Sequence, residues 1–469
     1  MFSSFTALPA LGRGAARLAA ATLVSGLVAA GAMVTAGAAV AVETPQNQSG
    51  ATATISGLKV YGSAVIHDNG EDLPVSAGLF EMSVDNGGTL QTYCIDLHNP
   101  TQKDARYQET SWSGTSLNGN ADAGRIRWIL QNSYPQVNDL ATLAAKAGAS
   151  GLTEQDAAAG TQVAIWRYSD GADVDAVDPQ AEKLADYLEK NAQNLTEPAA
   201  SLTLDSPAVS GHAGEKLGPV TVHTNADGVT VTPPTDAATS GVKIVDADGK
   251  EITSAADGSR LYFDVPKDSA DGSASLTVQA STTVPVGRAF ASENRSQTQI
   301  LAGSSESTVS ATATANWAKE GAIPALSAEK NCARGGVDVT AVNQGAEAFA
   351  FELVGIEHSV PAGESRTVTV TLQEDQAYDF TATGANGFEK RFTGMLDCET
   401  QGSASEVTTQ TVGEPSPATS ASTYSDGTDL AETGSSSATP IIGGIAIALV
   451  VVGGAALVLV NKRNAPEQH

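Results

Sequence analysis

The sequence is poor in cysteine, in aromatic residues and in positive charge. Three cysteines occur in 469 residues, aromatics make up 5%, and 26 Lys and Arg stand against 53 Asp and Glu. A net charge of −27 leaves no basic face of the kind that nucleic acid requires. Diffuse acidity gives a solvated surface and singles out no partner. The six histidines (67, 98, 212, 223, 358 and 469) are scattered and form no metal-ligand pair with cysteine, so neither a metal nor a cofactor is expected. No glycine-rich phosphate loop is present. Asp246-Ala-Asp248-Gly249 has the opening of a calcium loop but lacks the spaced downstream ligands, and a β-hairpin turn is expected there.

Two long uncharged runs stand out, one near each end. Arg13 and Arg17 precede an apolar stretch from Leu18 to Val42 that contains Ala39-Val40-Ala41, the small-x-small pattern of a signal peptidase site. Residues 1–41 are therefore expected to be a signal peptide, an N-terminal membrane anchor being the alternative. At the other end, Leu430-Ala431-Glu432-Thr433-Gly434 is followed by a Ser-rich spacer, twenty uncharged residues from Ile441 to Val460, then Lys462 and Arg463. Twenty helical residues span about 30 Å, the thickness of a bilayer's hydrocarbon core. The flanking cations hold that end, the tail 461–469, in the cytoplasm. The order of parts resembles a sortase sorting signal in its Leu-Ala-x-Thr-Gly form. That resemblance implies cleavage between Thr433 and Gly434 and transfer of the Thr433 carbonyl to peptidoglycan, leaving a secreted, extracellular protein attached to the cell wall. Its contact with the membrane would be limited to the 441–460 helix before sorting.

Between these ends the composition suggests a multidomain chain. Residues 42–53 read as a disordered leader. Residues 54–198 form a mixed α+β segment, alternating in strand fashion at first, with turns at Asp68-Asn69-Gly70 and Asp85-Asn86-Gly87-Gly88. Helices are expected around 121–132, 153–169 and 179–193. Residues 199–316 and 317–400 are rich in Thr and Val with frequent Gly and Asp turns, and read as two all-β immunoglobulin-like sandwiches. Residues 401–429, with few apolar positions, read as a disordered wall spacer.

Three is an odd number of cysteines for a secreted chain. Cys332 and Cys398 bracket the last β-segment and are its only pair, so a disulfide stapling it is expected. Cys94 is left over. Its strand-like surroundings, Thr92-Tyr93-Cys94-Ile95-Asp96-Leu97, suit a small core residue. A second oddity lies further on. Ala158, Gln162, Ile165 and Trp166 fall on one face of the helix beginning near Thr153, which sets Gln162 in an apolar stripe. Burying a primary amide costs about 1–3 kcal/mol unless it is well bonded. Backbone groups of a facing strand could satisfy it. Alternatively, a Cys94 thiolate attacks the Gln162 side-chain carbonyl, expels ammonia and leaves an intramolecular thioester. Such chemistry needs rigid contact and dryness.

Thr161-Gln162-Val163-Ala164 is similar to the Thr-Gln-x-Ala signature of bacterial thioester domains, and Tyr93-Cys94-Ile95-Asp96 resembles that family's cysteine segment. The resemblance covers residues 54–198. It implies a surface adhesin, not an enzyme, whose Gln162 acyl carbon captures an amine on a target surface, a lysine being the expected nucleophile. Thr161 and Ala164 then read as supports. Asp96, placed two residues from Cys94 on the same strand face, reads either as a proton-transfer group or as a structural contact. Trp128 and Trp166 read as core.

Two rival functions stay open at this point. A cysteine hydrolase or acyltransferase would pair Cys94 with His98, but positions i and i+4 of a strand lie about 13 Å apart. A non-covalent surface or structural wall protein would leave Cys94 and Gln162 as ordinary core residues. Lys243 and Lys267 are candidates for isopeptide bonds in the stalk.

Overall fold

A computed structural model of the protein describes residues 49–398 with the exception of Glu293. The expected signal peptide, wall spacer, sorting motif and 441–460 helix lie outside the described residues. Among the described residues, no helix is long and apolar enough to cross a membrane.

The first strands follow from alternation and turn chemistry. β1 (Thr52–Asp68) alternates buried and exposed positions along much of its length and turns into β2 (Glu71–Val84). Asn69 and Gly70 both take positive φ, 49° and 85°, the geometry of a tight hairpin that Asn-Gly adopts at little cost. β3 (Thr89–Cys94) follows the Asn86-Gly87-Gly88 turn, and β4 (Arg106–Thr110) comes after a loop. The leader expectation fails at its last residues: β1 begins at Thr52, with Ala51 and Ala53 fully buried.

Four α-helices follow. α1 (Ala123–Asn132), α3 (Glu154–Ser169) and α4 (Pro179–Asn191) correspond to the three expected helices. Thr153 and Asp156 form a reciprocal capping box at the start of α3, while Asp178 caps α4 with Pro179 at its first position. α2 (Leu140–Ala147) was not anticipated, although Asp139 caps its start and a left-handed Gly148 ends it. The short strand β5 (Val174–Ala176) pairs with β1.

The sheet is completed from far downstream. Strands Ala289–Ser292 and Gln299–Ser304, inside the segment read as the first sandwich, insert between β4 and β3. Since β1 pairs with both β2 and β4, the six strands β1, β2, β3, Gln299–Ser304, Ala289–Ser292 and β4 close into a ring. Closure removes the free edges that an open sheet would present. One hydrophobic core accordingly runs from Ala51 to Trp317.

The rest of residues 202–318 forms a four-stranded and a five-stranded sheet, and strand Glu306–Ala318 runs past the boundary expected at 316. Residues 324–395 form a three-stranded and a four-stranded sheet enclosing a second core that includes Val339, Phe351 and Phe392. The Cys332–Cys398 disulfide is formed, linking the turn after strand Pro324–Asn331 to the residues beyond the last strand. In the chain-entropy picture a loop of this length stabilises the fold by about 4 kcal/mol. The Asp246-Asp248-Gly249 segment is a turn: Asp246 Oδ1 accepts from the amides of Asp248 and Lys250. Lys243 is exposed and paired with Glu251 at 3.1 Å.

A buried ion network ties the downstream strands to the ring. Arg288, just before Ala289–Ser292, donates to Glu109 Oε1 at 2.9 Å and to Glu197 Oε1 at 2.6 Å. Glu109 also accepts from the amides of Ala51 and Ser201. Removing one partner leaves an uncompensated buried charge, which typically costs about 3–5 kcal/mol. Arg288→Met is therefore expected to lower unfolding free energy by about that much. Adding Glu109→Gln should restore part of it. Denaturant melts of the two variants decide the point, and equal stability of Arg288→Met and wild type would remove the network's structural role.

Candidate functional site

Cys94 is the last residue of β3 and lies opposite Gln299 in the neighbouring ladder, with Ile95 N donating to Thr298 O at 3.1 Å. The cysteine is thus aligned by a strand some two hundred positions later. Helix α3 packs against the sheet. Residues 157–166 are buried on every side of it, so the single apolar stripe expected from the sequence is replaced by an all-round interior helix. Its small residues make this possible. A side chain at Gly160 would meet Ala181 O at 2.4 Å, so glycine lets α4 lie directly on α3.

Cys94 and Gln162 meet. The Cys94 amide donates to Gln162 Oε1 at 3.0 Å, and Gln162 Nε2 donates to Cys94 O at 2.9 Å. The side-chain amide therefore clasps the cysteine's own backbone, which satisfies the buried glutamine by the strand contact that the sequence left open. The same contact has chemical content. A backbone N–H aimed at Oε1 polarises that carbonyl and is placed where negative charge develops if sulfur adds to the carbon. Trp166 Nε1 donates to Cys94 Sγ at 3.2 Å, and Cys94 Sγ donates to Asp96 O at 3.4 Å. Cys94, Gln162, Thr161, Ala164 and Trp166 are all fully buried.

The supports behave in distinct ways. Thr161 Oγ1 donates to Ala157 O at 2.7 Å and lies beside the Tyr93 hydroxyl, which donates to Tyr134 O. Ala164 is fully buried on the same helix. Trp166 is core and also bonded to the sulfur, while Trp128 is only half-buried against the core.

Asp96 departs from its expected placement. β3 ends at Cys94 and the chain turns, so the two residues do not share a strand face. Asp96 Oδ2 accepts from Asn99 Nδ2 at 2.5 Å, and its backbone carbonyl accepts from Gln297 Nε2 at 2.5 Å. Asp170, which the sequence did not single out, follows directly after α3 and accepts from the Leu97 amide at 2.9 Å and the Ser169 hydroxyl at 2.6 Å. It fastens the loop after Cys94 to the helix end. Burial pushes the Asp170 carboxyl up and pushes the Cys94 thiol well up, the latter reinforced by the charge of Asp170. A resting thiolate is thereby disfavoured. His98 bears electrostatically on Asp170.

A second group missed by sequence reading is the strip Ser296-Gln297-Thr298-Gln299, buried despite being entirely polar. Gln297 Oε1 accepts from Thr101 and Gln299 Oε1 from Thr92, so the strip is satisfied by the strand and loop that carry Cys94. Its only signal in sequence is a run of polar and amide residues leading directly into the apolar Ile300-Leu301-Ala302.

Comparison with known proteins bears on these residues. Residues 91–194 match the family model described as a thioester domain, a span that contains both Cys94 and Gln162. Residues 323–395 match the model described as the C-terminal domain of bacterial phospholipase C. None of the curated proteins matches the chain. Among solved structures, the Bacillus anthracis TIE protein is 14% identical, with 75% of this chain and 81% of that one covered and a TM-score of 0.26. The thioester domain of the Enterococcus faecium TIE86 protein is 17% identical, covering 58% of this chain and 99% of that one, with a TM-score of 0.27.

Proposed function

We propose that the protein is a surface adhesin whose Cys94 and Gln162 form an internal thioester that captures an amine covalently. The observation that carries this reading is the two-point clasp of the Gln162 amide on the Cys94 backbone, in a site sealed from water. The thioester-domain match over residues 91–194 supports it. In the forming step, sulfur bonds to the Gln162 carbonyl carbon, the C–N bond breaks, and the thiol proton leaves with the nitrogen as ammonia. Contact replaces the missing activation of the amide, and the Cys94 N–H stabilises the oxygen that becomes negative. In the capturing step an amine attacks the same carbon, an amide forms, and the Cys94 thiol returns with a proton from the amine. Trp166 Nε1–H steadies the departing sulfur. The bond forms once without turnover, so the protein is no enzyme.

A lysine on a target surface is the proposed amine. The sorting-type ending, Leu430 to Gly434, would join Thr433 to peptidoglycan through a sortase, holding the captured target at the cell wall. Because the site is fully buried, an approaching amine must first displace part of its cover.

The test is the intact mass of the full chain beside Cys94→Ala. Wild type should fall short of its calculated mass by one ammonia, and methylamine should add its own mass while freeing a thiol. Full calculated mass with a titratable thiol removes the covalent mechanism. Trp166→Phe keeps an aromatic ring and deletes the sulfur's donor, a bond to a charged group worth about 1.5–3 kcal/mol. Thiol release by methylamine should slow roughly 10- to 100-fold in that variant. An unchanged rate would reduce Trp166 to packing.

A further inference from the structure

We propose that Glu374, Asp375 and Asp397 form a calcium site that fastens the terminal β-domain to the loop following Cys94. Each of the three offers a carboxylate oxygen within 4.8 Å of the others. Acidic neighbours on a surface are commonplace, but two buried atoms here call for a cation. Asp397 is 9% exposed and uses Oδ2 to accept from Thr298 Oγ1 at 2.7 Å, while its Oδ1 has no hydrogen-bond partner. Asp96, fully buried, likewise has an Oδ1 without a partner, and Asp397 is its strongest charged neighbour. A buried carboxylate oxygen with no donor is costly to keep.

Glu374 Oε1 accepts from the Cys398 amide at 2.5 Å. Asp375 accepts from Arg295 at 3.1 Å and, at 3.5 Å, from Asn99. Arg295 and Lys330 supply positive charge nearby, against the acids Glu374, Asp375, Asp397 and Asp96. An all-oxygen carboxylate set selects a hard cation, and calcium tolerates the irregular geometry and completes its shell with water. Extracellular calcium modules work at Kd values of about 10⁻⁴ to 10⁻³ M, which suits three carboxylates partly engaged elsewhere. The position gives the site its consequence. Asn99 and Thr298 flank the Cys94 segment on two sides, and both are bonded to the acids of the cluster.

The test is thermal unfolding and calorimetric titration of the chelator-treated full chain with calcium chloride. Wild type should bind one calcium, and its midpoint should rise saturably by about 3–6 °C. Asp397→Asn keeps an oxygen for Thr298 and removes the charge. It should raise the calcium-free midpoint, because repulsion falls, and abolish the response to calcium. No heat and no midpoint shift in wild type would overturn the site, as would an Asp397→Asn chain that binds calcium like wild type. If that variant does not fold, the wild-type titration alone still decides between one bound calcium and none. None of these readouts depends on the thioester.

Discussion

Gln162→Ala and Cys94→Ala are expected to lose amine capture equally and completely, yet to differ in stability by about 2–4 kcal/mol. The chemistry needs both partners, since the acyl carbon belongs to one and the sulfur to the other. Each variant would also forfeit the proposed cross-link between positions 94 and 162. The difference arises from the clasp. Cys94→Ala keeps the Cys94 position's backbone N–H and C=O, so Gln162 remains bonded through Oε1 and Nε2. Gln162→Ala takes the side-chain partner away from both backbone groups in a fully buried site and leaves a cavity besides. Methylamine incorporation followed by mass, with denaturant unfolding of the same two proteins, measures both effects. Equal stability of the variants would mean that the amide is held by something other than the cysteine backbone. Residual capture in either would remove the thioester.

A chain ending at Pro198 is expected not to fold cooperatively, whereas one continuing through residue 398 should. The shorter chain contains all of β1 to β5 and the four helices, and by composition it resembles a domain. It lacks Ala289–Ser292 and Gln299–Ser304, without which the ring stands open between β3 and β4. Two strand edges are exposed at once, and an exposed pair of edges invites aggregation. Glu109 loses Arg288 and becomes a buried charge with no countercharge. Core residues Phe290, Ile300 and Leu301, all fully buried, are missing. Together these losses exceed the usual margin of stability, about 5–15 kcal/mol. Circular dichroism and thermal unfolding of the two lengths provide the comparison. A sharp melt of the shorter chain near the longer one's midpoint would show that the ring does not need its downstream strands.

What was legible in the sequence was local. The helix beginning near Thr153, the Asn-Gly and Asn-Gly-Gly turns, and the pairing of Cys332 with Cys398 all depend on residues whose neighbours in space are few and chemically distinctive. Cys94 and Gln162 were legible because a thiol and an amide are out of place in apolar surroundings. The contribution of residues 289–304 was not. Pairing Cys94 with Gln299 is a long-range register choice, and Ser296-Gln297-Thr298-Gln299 has the composition of a surface loop. Burial of such a strip is stable only because Thr92 and Tyr107 meet it from other strands and Thr101 from a loop, and no local pattern announces that. Asp96 was misplaced for a related reason: alternation continues to suggest a strand beyond the residue where the backbone turns.

The origin of strand Gln299–Ser304 bears on mechanical load. It continues through Ser305 into Glu306–Ala318, which is laddered along its length to Gly272–Thr283. Antiparallel hydrogen bonds lie across the strand direction. Tension drawn along Gln299–Ser304 thus strains its bonds to β3 together, in shear, instead of peeling them away singly. The segment that sets the cysteine in register is also the segment through which a tug from downstream is shared out across the ring.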